Sequence, residues 1–441
     1  MKINQLTYLK LIVFHILIAG IIFTIPVFSK LLGVLIFIIG LLVVVYKQNK
    51  NNEVLYVAGY MMGSEVLLRM TNGNFIHEFG KYGVTFFMLT GMYYSKFSKK
   101  SFIYFLFFFL LMPGIFVSTL TLNLSSDFRK VMLFYLSGPI CLCFSAIYCF
   151  GRKITYKELN NLLLFIALPI LSTVSYAFLY APSIKAVVTG TSSNFEASGG
   201  FGPNQVSTIF GLGFFIFFTR LLLISDTKKY VVLNTFLTIF IAYRAIVTFS
   251  RGGVLTGIVM IGVLVFLLYW YSIKNSRVKL LAILFGAFIL SIGLWSYSAS
   301  QTSGMIEKRY ANQDGRGRVK TDRLGGREEL IETEMKMFLQ NPLLGVGIGK
   351  NEQYRYDWTG IHAASHNEIT RLLAEHGFLG IIMLLILFIT PLSLFYQNKQ
   401  NIYLLSFFAF WLFTINHAAM RLAAPGFIYA LSLLKVSIDE K

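Results

Sequence analysis

Charge and cysteine are both scarce in this chain. Only 13% of its 441 residues are Asp, Glu, Lys or Arg, and the acids number 20 against 39 bases. With 56% hydrophobic and 16% aromatic residues, the composition is that of a polytopic membrane protein and excludes an ordinary soluble domain. The three cysteines, Cys141, Cys143 and Cys149, fall inside one apolar run, so they cannot staple an extramembrane segment. No Cys-x-x-Cys spacing for a metal is present either. Internal repeats and low-complexity tails are absent. No small-residue cleavage site follows the first apolar run, so no cleavable signal peptide is expected.

Apolar runs of about the length needed to cross a bilayer recur fourteen times, from Leu9–Phe28 to Leu422–Val436. Val54–Leu68, which carries Glu65, and Tyr82–Tyr94 are the shortest for a crossing, and without them twelve spans remain. The expected fold is therefore an all-α polytopic membrane protein with about 12–14 transmembrane helices and one large helical extracytoplasmic loop. Its domains are N-terminal spans over 1–297, a loop over 298–377, and C-terminal spans over 378–441. Basic residues are retained on the cytoplasmic side of short loops. Lys47, Lys50, Lys96, Lys99, Lys100, Arg152, Lys153, Lys274, Arg277 and Lys279 gather on one side, which places the N-terminus inside and the long loop outside. Within that loop acids balance bases, so the formal charge of +19 reflects orientation and nucleic acid is not an expected partner.

A loop of some eighty residues is far longer than a connector between packed helices, and chemistry belongs there. Gln301–Gly326 is polar and glycine-bearing, and irregular backbone is expected. From Arg327 to Gln340 the apolar positions Leu330, Ile331, Met335, Met337 and Phe338 suit a half-buried helix, which Asn341-Pro342 stops. Gly345, Gly347 and Gly349 can bring backbone N–H groups to an anion or sugar, or can form a tight connector. Ser365 followed by Glu368 fits a capping box, which puts His366 and Asn367 in a helix's first turn. The positive end of the dipole there favours neutral imidazole, which can accept a proton. His362 and His366, with Asp357 or Glu368, raise a zinc reading, but His-Glu-x-x-His is absent and the helix would begin between the two histidines. No metal is expected.

His366-Asn367, nine residues, then Gly377-x-x-Gly380 is similar to the signature of the O-antigen ligase superfamily, which also contains Wzy-type polysaccharide polymerases and bacterial protein O-glycosyltransferases. Three further segments resemble that family in order and context. They are Phe201-Gly202-Pro203-Asn204-Gln205, Ser250-Arg251-Gly252-Gly253, and Gly326-Arg327 leading to Asn341-Pro342-Leu343-Leu344-Gly345-Val346-Gly347.

The resemblance implies transfer of a glycan from an undecaprenyl-diphosphate carrier to an acceptor hydroxyl outside the cytoplasmic membrane, without metal or other cofactor. The acceptor is a glycan, a lipid A core or a protein, and membrane lipids surround the enzyme. His366 is then the general base, and Arg251 and Arg327 bind the diphosphate through planar guanidinium forks. Asn204, Asn367 and Arg323 are further substrate contacts. Asn204 can equally cap the span that follows it, and Arg316, Arg323 and Arg371 rival the two arginines. Arg371 stands four before Glu375, the spacing of a helical salt bridge. A transporter or flippase would show as many spans, but it would carry ionisable groups within them, where here Glu65 and Arg244 are the clearest.

Overall fold

A computed structural model describes residues 5–123, 127–320, 327–361 and 363–438. It is helical almost throughout. Among the described residues ten helices are long and apolar enough to cross a membrane, and they account for ten of the fourteen runs. The other four runs fall in helices that are shorter or carry charge. Val54–Leu68 lies in Glu53–Met70, where Glu65 pairs with Arg69 at 3.1 Å. Tyr82–Tyr94 lies in the 16-residue Phe79–Tyr94, and Ile402–Ile415 in the 12-residue Leu404–Ile415. The last run, Leu422–Val436, is not one helix. Pro425 opens the eight-residue Ala424–Leu431, and Lys435–Ser437 then pairs in parallel with Lys153–Thr155, where the chain is extended.

The chain divides into two compact units. The first comprises Met1–Gly40, Gly59–Phe75 and Asn160–Thr321. Its central helices, Pro203–Leu223 and Arg251–Tyr271, approach closely because small residues face each other four apart, as packing in lipid favours. A Cβ on Gly211 would lie 2.1 Å from the Gly253 carbonyl, and one on Gly253 would lie 2.2 Å from that of Ser207. Arg244, fully buried, donates to the carbonyls of Ala177 (2.7 Å), Ala181 (3.2 Å) and Ala197 (2.9 Å). It thereby caps the end of Tyr156–Tyr180, so the cation in this span is a structural tie. Where irregular backbone is expected after Gln301, a short helix Met305–Tyr310 forms, started by Gly304 at φ 75°. A turn follows in which Asp314 accepts from the N–H groups of Arg316 and Arg318.

The second unit comprises Leu41–Ala58, Ile76–Leu159 and Asp322–Lys441. Phe102–Thr121, Phe128–Cys149, Phe378–Gln397, Leu404–Ile415 and Ala424–Leu431 share a core in which Phe107, Leu142 and Trp411 are buried and the Tyr104 and Tyr429 hydroxyls meet at 2.8 Å. Three shorter helices that are not candidate spans belong to the same unit: Arg327–Gln340, Lys350–Thr359 and Glu368–His376. The first ends at Gln340, as its apolar spacing and Asn341-Pro342 require.

Candidate active site

The histidine segment is built from its neighbours upward. Asn367, with extended backbone (φ −121°, ψ 116°), is the N-cap of Glu368–His376, and its Oδ1 accepts from the Ile369 N–H at 2.9 Å. This moves the cap two residues beyond Ser365. The carboxylate of Glu368 is held by Arg371 and cannot fold back in a capping box, while the Ser365 hydroxyl instead bonds the Asn367 backbone. His366 therefore precedes the helix and is not in its first turn.

Three consecutive residues before His366 are clamped. Arg355 donates to the Ala363 carbonyl, and Arg421 donates to those of Ala364 (3.5 Å) and Ser365 (3.2 Å). Arg355 is itself fixed by Glu334, whose carboxylate accepts from Arg355 at 2.6 Å and from the Thr370 hydroxyl at 2.5 Å. Glu334 and Arg355 are both completely buried. The sequence thus spends a buried ion pair on holding a loop in one conformation.

Burial, then the guanidiniums of Arg421 and Arg327, push the His366 pKa down to about 4. The backbone of His417 acts on the ring in the opposite sense and favours the proton. Nδ1 is buried and has no hydrogen-bond partner among the described residues. The neutral state expected from the sequence is thus produced by desolvation and two cations, and not by a helix dipole. His417 is lowered to about 4 in the same way, by burial first, with Arg327 adding to it.

Arg327, the first residue of its helix, thus acts electrically on both histidines. Arg323 and His362 lie outside the described residues. Arg371 forms ion pairs with Glu368 and with Glu375 (2.6 Å) and is internal to the helix. Burial works against its charge, but the two carboxylates overcome that and raise its pKa. A small cleft opens beside Ser365, lined by Lys81, Tyr135, Glu368, Arg371, Met420 and Arg421 among others.

The glycines are explained by close approach. Gly345, Gly347 and Gly349 have φ of 71°, 90° and 78°, and their N–H groups donate to the Asn341 carbonyl, the Glu375 carbonyl and the Glu375 carboxylate. This is the tight connector, with its donors used internally. Gly377 adopts φ 58°, and a Cβ there would meet the Pro342 carbonyl at 2.6 Å. A Cβ on Gly380 would meet the Leu372 carbonyl at 2.3 Å.

The four motif segments thus meet in pairs. In the second unit, Asn341–Gly349 packs on the helix that follows His366. In the first, the Ser250 hydroxyl donates to Asn204 Oδ1 at 2.8 Å and the Ser207 hydroxyl to the Ser250 carbonyl at 2.8 Å. Gly202 is the N-cap of that span, so Asn204 is not. It orients Ser250, next to Arg251, whose charge acts on Tyr310.

Sequence reasoning missed Arg421 and His417. Their signal was the polar tract Asn416-His417 with Arg421 between the last two apolar runs. Residues 236–385 match the family described as O-antigen ligase, which bears out the resemblance carried by the motifs. No curated protein matches the chain.

Proposed function

We propose, on the premise that the chain is a member of the O-antigen ligase superfamily, that it is a metal-independent transferase moving a glycan from undecaprenyl diphosphate to an acceptor hydroxyl, of ligase type, on the outer face of the bacterial cytoplasmic membrane. The observation that carries the reading is the Nδ1 of His366, buried and without a hydrogen-bond partner among the described residues, on a ring whose pKa burial, Arg421 and Arg327 lower. The acceptor oxygen bonds to the anomeric carbon as its proton passes to Nδ1. The bond from that carbon to the diphosphate oxygen breaks, and its electron pair leaves with undecaprenyl diphosphate. A diphosphate is a good leaving group and needs positive donors more than a proton. Arg327 and Arg251 are assigned to it. Arg244 and Glu65, the ionisable groups that a transporter would use, are both engaged structurally, which favours the enzyme.

A deletion strain tests the reading through its surface-glycan gel profile. Loss of all attached chains is expected, and survival of single attached units would assign a polymerase instead. The asymmetry of Lys and Arg supports the sidedness. A cysteine introduced at Ser303 should react in intact cells with membrane-impermeant reagents, and reaction with permeant reagents alone would put the loop inside.

Arg251→Lys and Arg327→Lys keep charge but lose the fork, so transfer should fall about tenfold or more at limiting donor while abundance holds. Wild-type transfer by both variants would remove these arginines from the site.

A further inference from the structure

We infer that Arg421 is a further guanidinium of the reaction centre, binding the donor diphosphate, and that the diphosphate must be in place before His366 can take the acceptor's proton. This rests on the transferase reading and adds to it a residue and an order of binding.

Arg421 lies in the turn after Leu404–Ile415 and is half-buried in the cleft beside Ser365. One terminal nitrogen, Nη2, donates to the Ala364 and Ser365 carbonyls, so the guanidinium is held against the backbone that carries His366. The remaining N–H groups have no hydrogen bond among the described residues. Three cations line the cleft, and two of them are answered. Lys81 pairs with Glu78 at 2.6 Å, and Arg371 with Glu368 and Glu375. Arg421 makes no ion pair among the described residues. Glu352 acts on it electrically, but its carboxylate accepts from the Tyr135 hydroxyl at 3.0 Å. A guanidinium fixed at one edge and open at the others suits two phosphate oxygens.

The charges around His366 supply the second strand of the argument. From the helix that begins at Arg327 comes one guanidinium. The turn after Leu404–Ile415 contributes the other, together with neutral His417. Of the nearby carboxylates, Glu368 is locked to Arg371 and Glu334 to Arg355 and Thr370. Both carboxylates are thus already engaged with cations or hydroxyls. A proton on Nδ1 would therefore be a third positive charge beside two. A polyanion held by Arg421 offsets the positive charge beside the ring, so the base gains proton affinity when donor is bound. Without donor, the acceptor hydroxyl meets a weak base.

The test uses the full chain in lipid nanodiscs with undecaprenyl diphosphate as the probe. Arg421→Gln should weaken its binding about 10- to 100-fold, the range for losing hydrogen bonds to a charged group. Arg421→Lys should recover part of that affinity. Wild-type affinity in a folded R421Q protein would leave Arg421 as a clasp for residues 364–365 and overturn the assignment. Should R421Q not fold, R421K decides by itself, and wild-type affinity there overturns it as well.

The order of binding is read from pH profiles. The acid limb of kcat/KM for donor reports the free enzyme and that of kcat the complex. The kcat limb should lie at the higher pH, and coincident limbs would overturn the order. A wild type that binds undecaprenyl diphosphate yet transfers nothing would sink the transferase reading and leave the Arg421 subsite standing.

Discussion

His366→Ala should insert normally and bind lipid-linked donor, yet transfer glycan about 10²- to 10⁴-fold more slowly, the usual cost of losing a general base. An acceptor hydroxyl is a poor nucleophile at neutral pH, and the Nδ1 of His366 is buried without a hydrogen-bond partner among the described residues, where the charges of Arg421 and Arg327 act on the ring. His376 also has an unpartnered Nδ1, but its ring is buried against Gly114 and its pKa is driven by burial to about 3. It has no room for a substrate. The sign of the pH effect follows from His366 being depressed to about 4. The ring is neutral and active above that value, so kcat/KM for donor should stay level through pH 6.5 and fall only as the pH approaches 4. EDTA should leave the wild type active. Near-normal transfer by the alanine variant with purified donor, or a wild type silenced by EDTA and restored by zinc, would move attention to His362 and Asp357.

The parts of this site legible in the sequence are those whose partners lie within one helix or turn. Arg327–Gln340 was readable because its apolar residues recur on one face and Asn341-Pro342 stops it. The Arg371–Glu375 pair was readable from a spacing of four. The N-cap was misplaced because Ser-x-x-Glu and Asn-Glu are both adequate starts. The choice between them fell to Arg371, which removes Glu368 from the box. Arg421 was invisible for another reason. It follows the histidine by more than fifty residues, across two apolar helices, and no local pattern connects it to the Ser365 carbonyl. The glycines were legible as unusual but not as to purpose. Whether their N–H groups face a ligand or Glu375 depends on which helix packs beside them.

Arg371→Ala is expected to destabilise the second unit by about 3–5 kcal/mol, the range for removing one member of a buried ion pair. Glu368 and Glu375 are 1% and 0% exposed, and each loses its cation. Burial already raises the pKa of Glu375, so that carboxyl can take up a proton and soften part of the loss. Its Oε1 also accepts from the Gly349 N–H at 2.9 Å, and the Val346 and Gly347 N–H groups bond the carbonyls of Ala374 and Glu375. Loosening this helix therefore loosens the glycine connector and the His366 segment together. Arg371→Lys should recover little, because one ammonium cannot fork to Glu368 while reaching Glu375. Arg371→Met combined with Glu368→Gln and Glu375→Gln should regain much of the stability, since none of the three positions then carries a buried charge. Thermal melting of purified protein separates this role from substrate binding. If Arg371→Ala melts like the wild type but no longer binds undecaprenyl diphosphate, the arginine belongs to the donor site and the helix is held by other contacts.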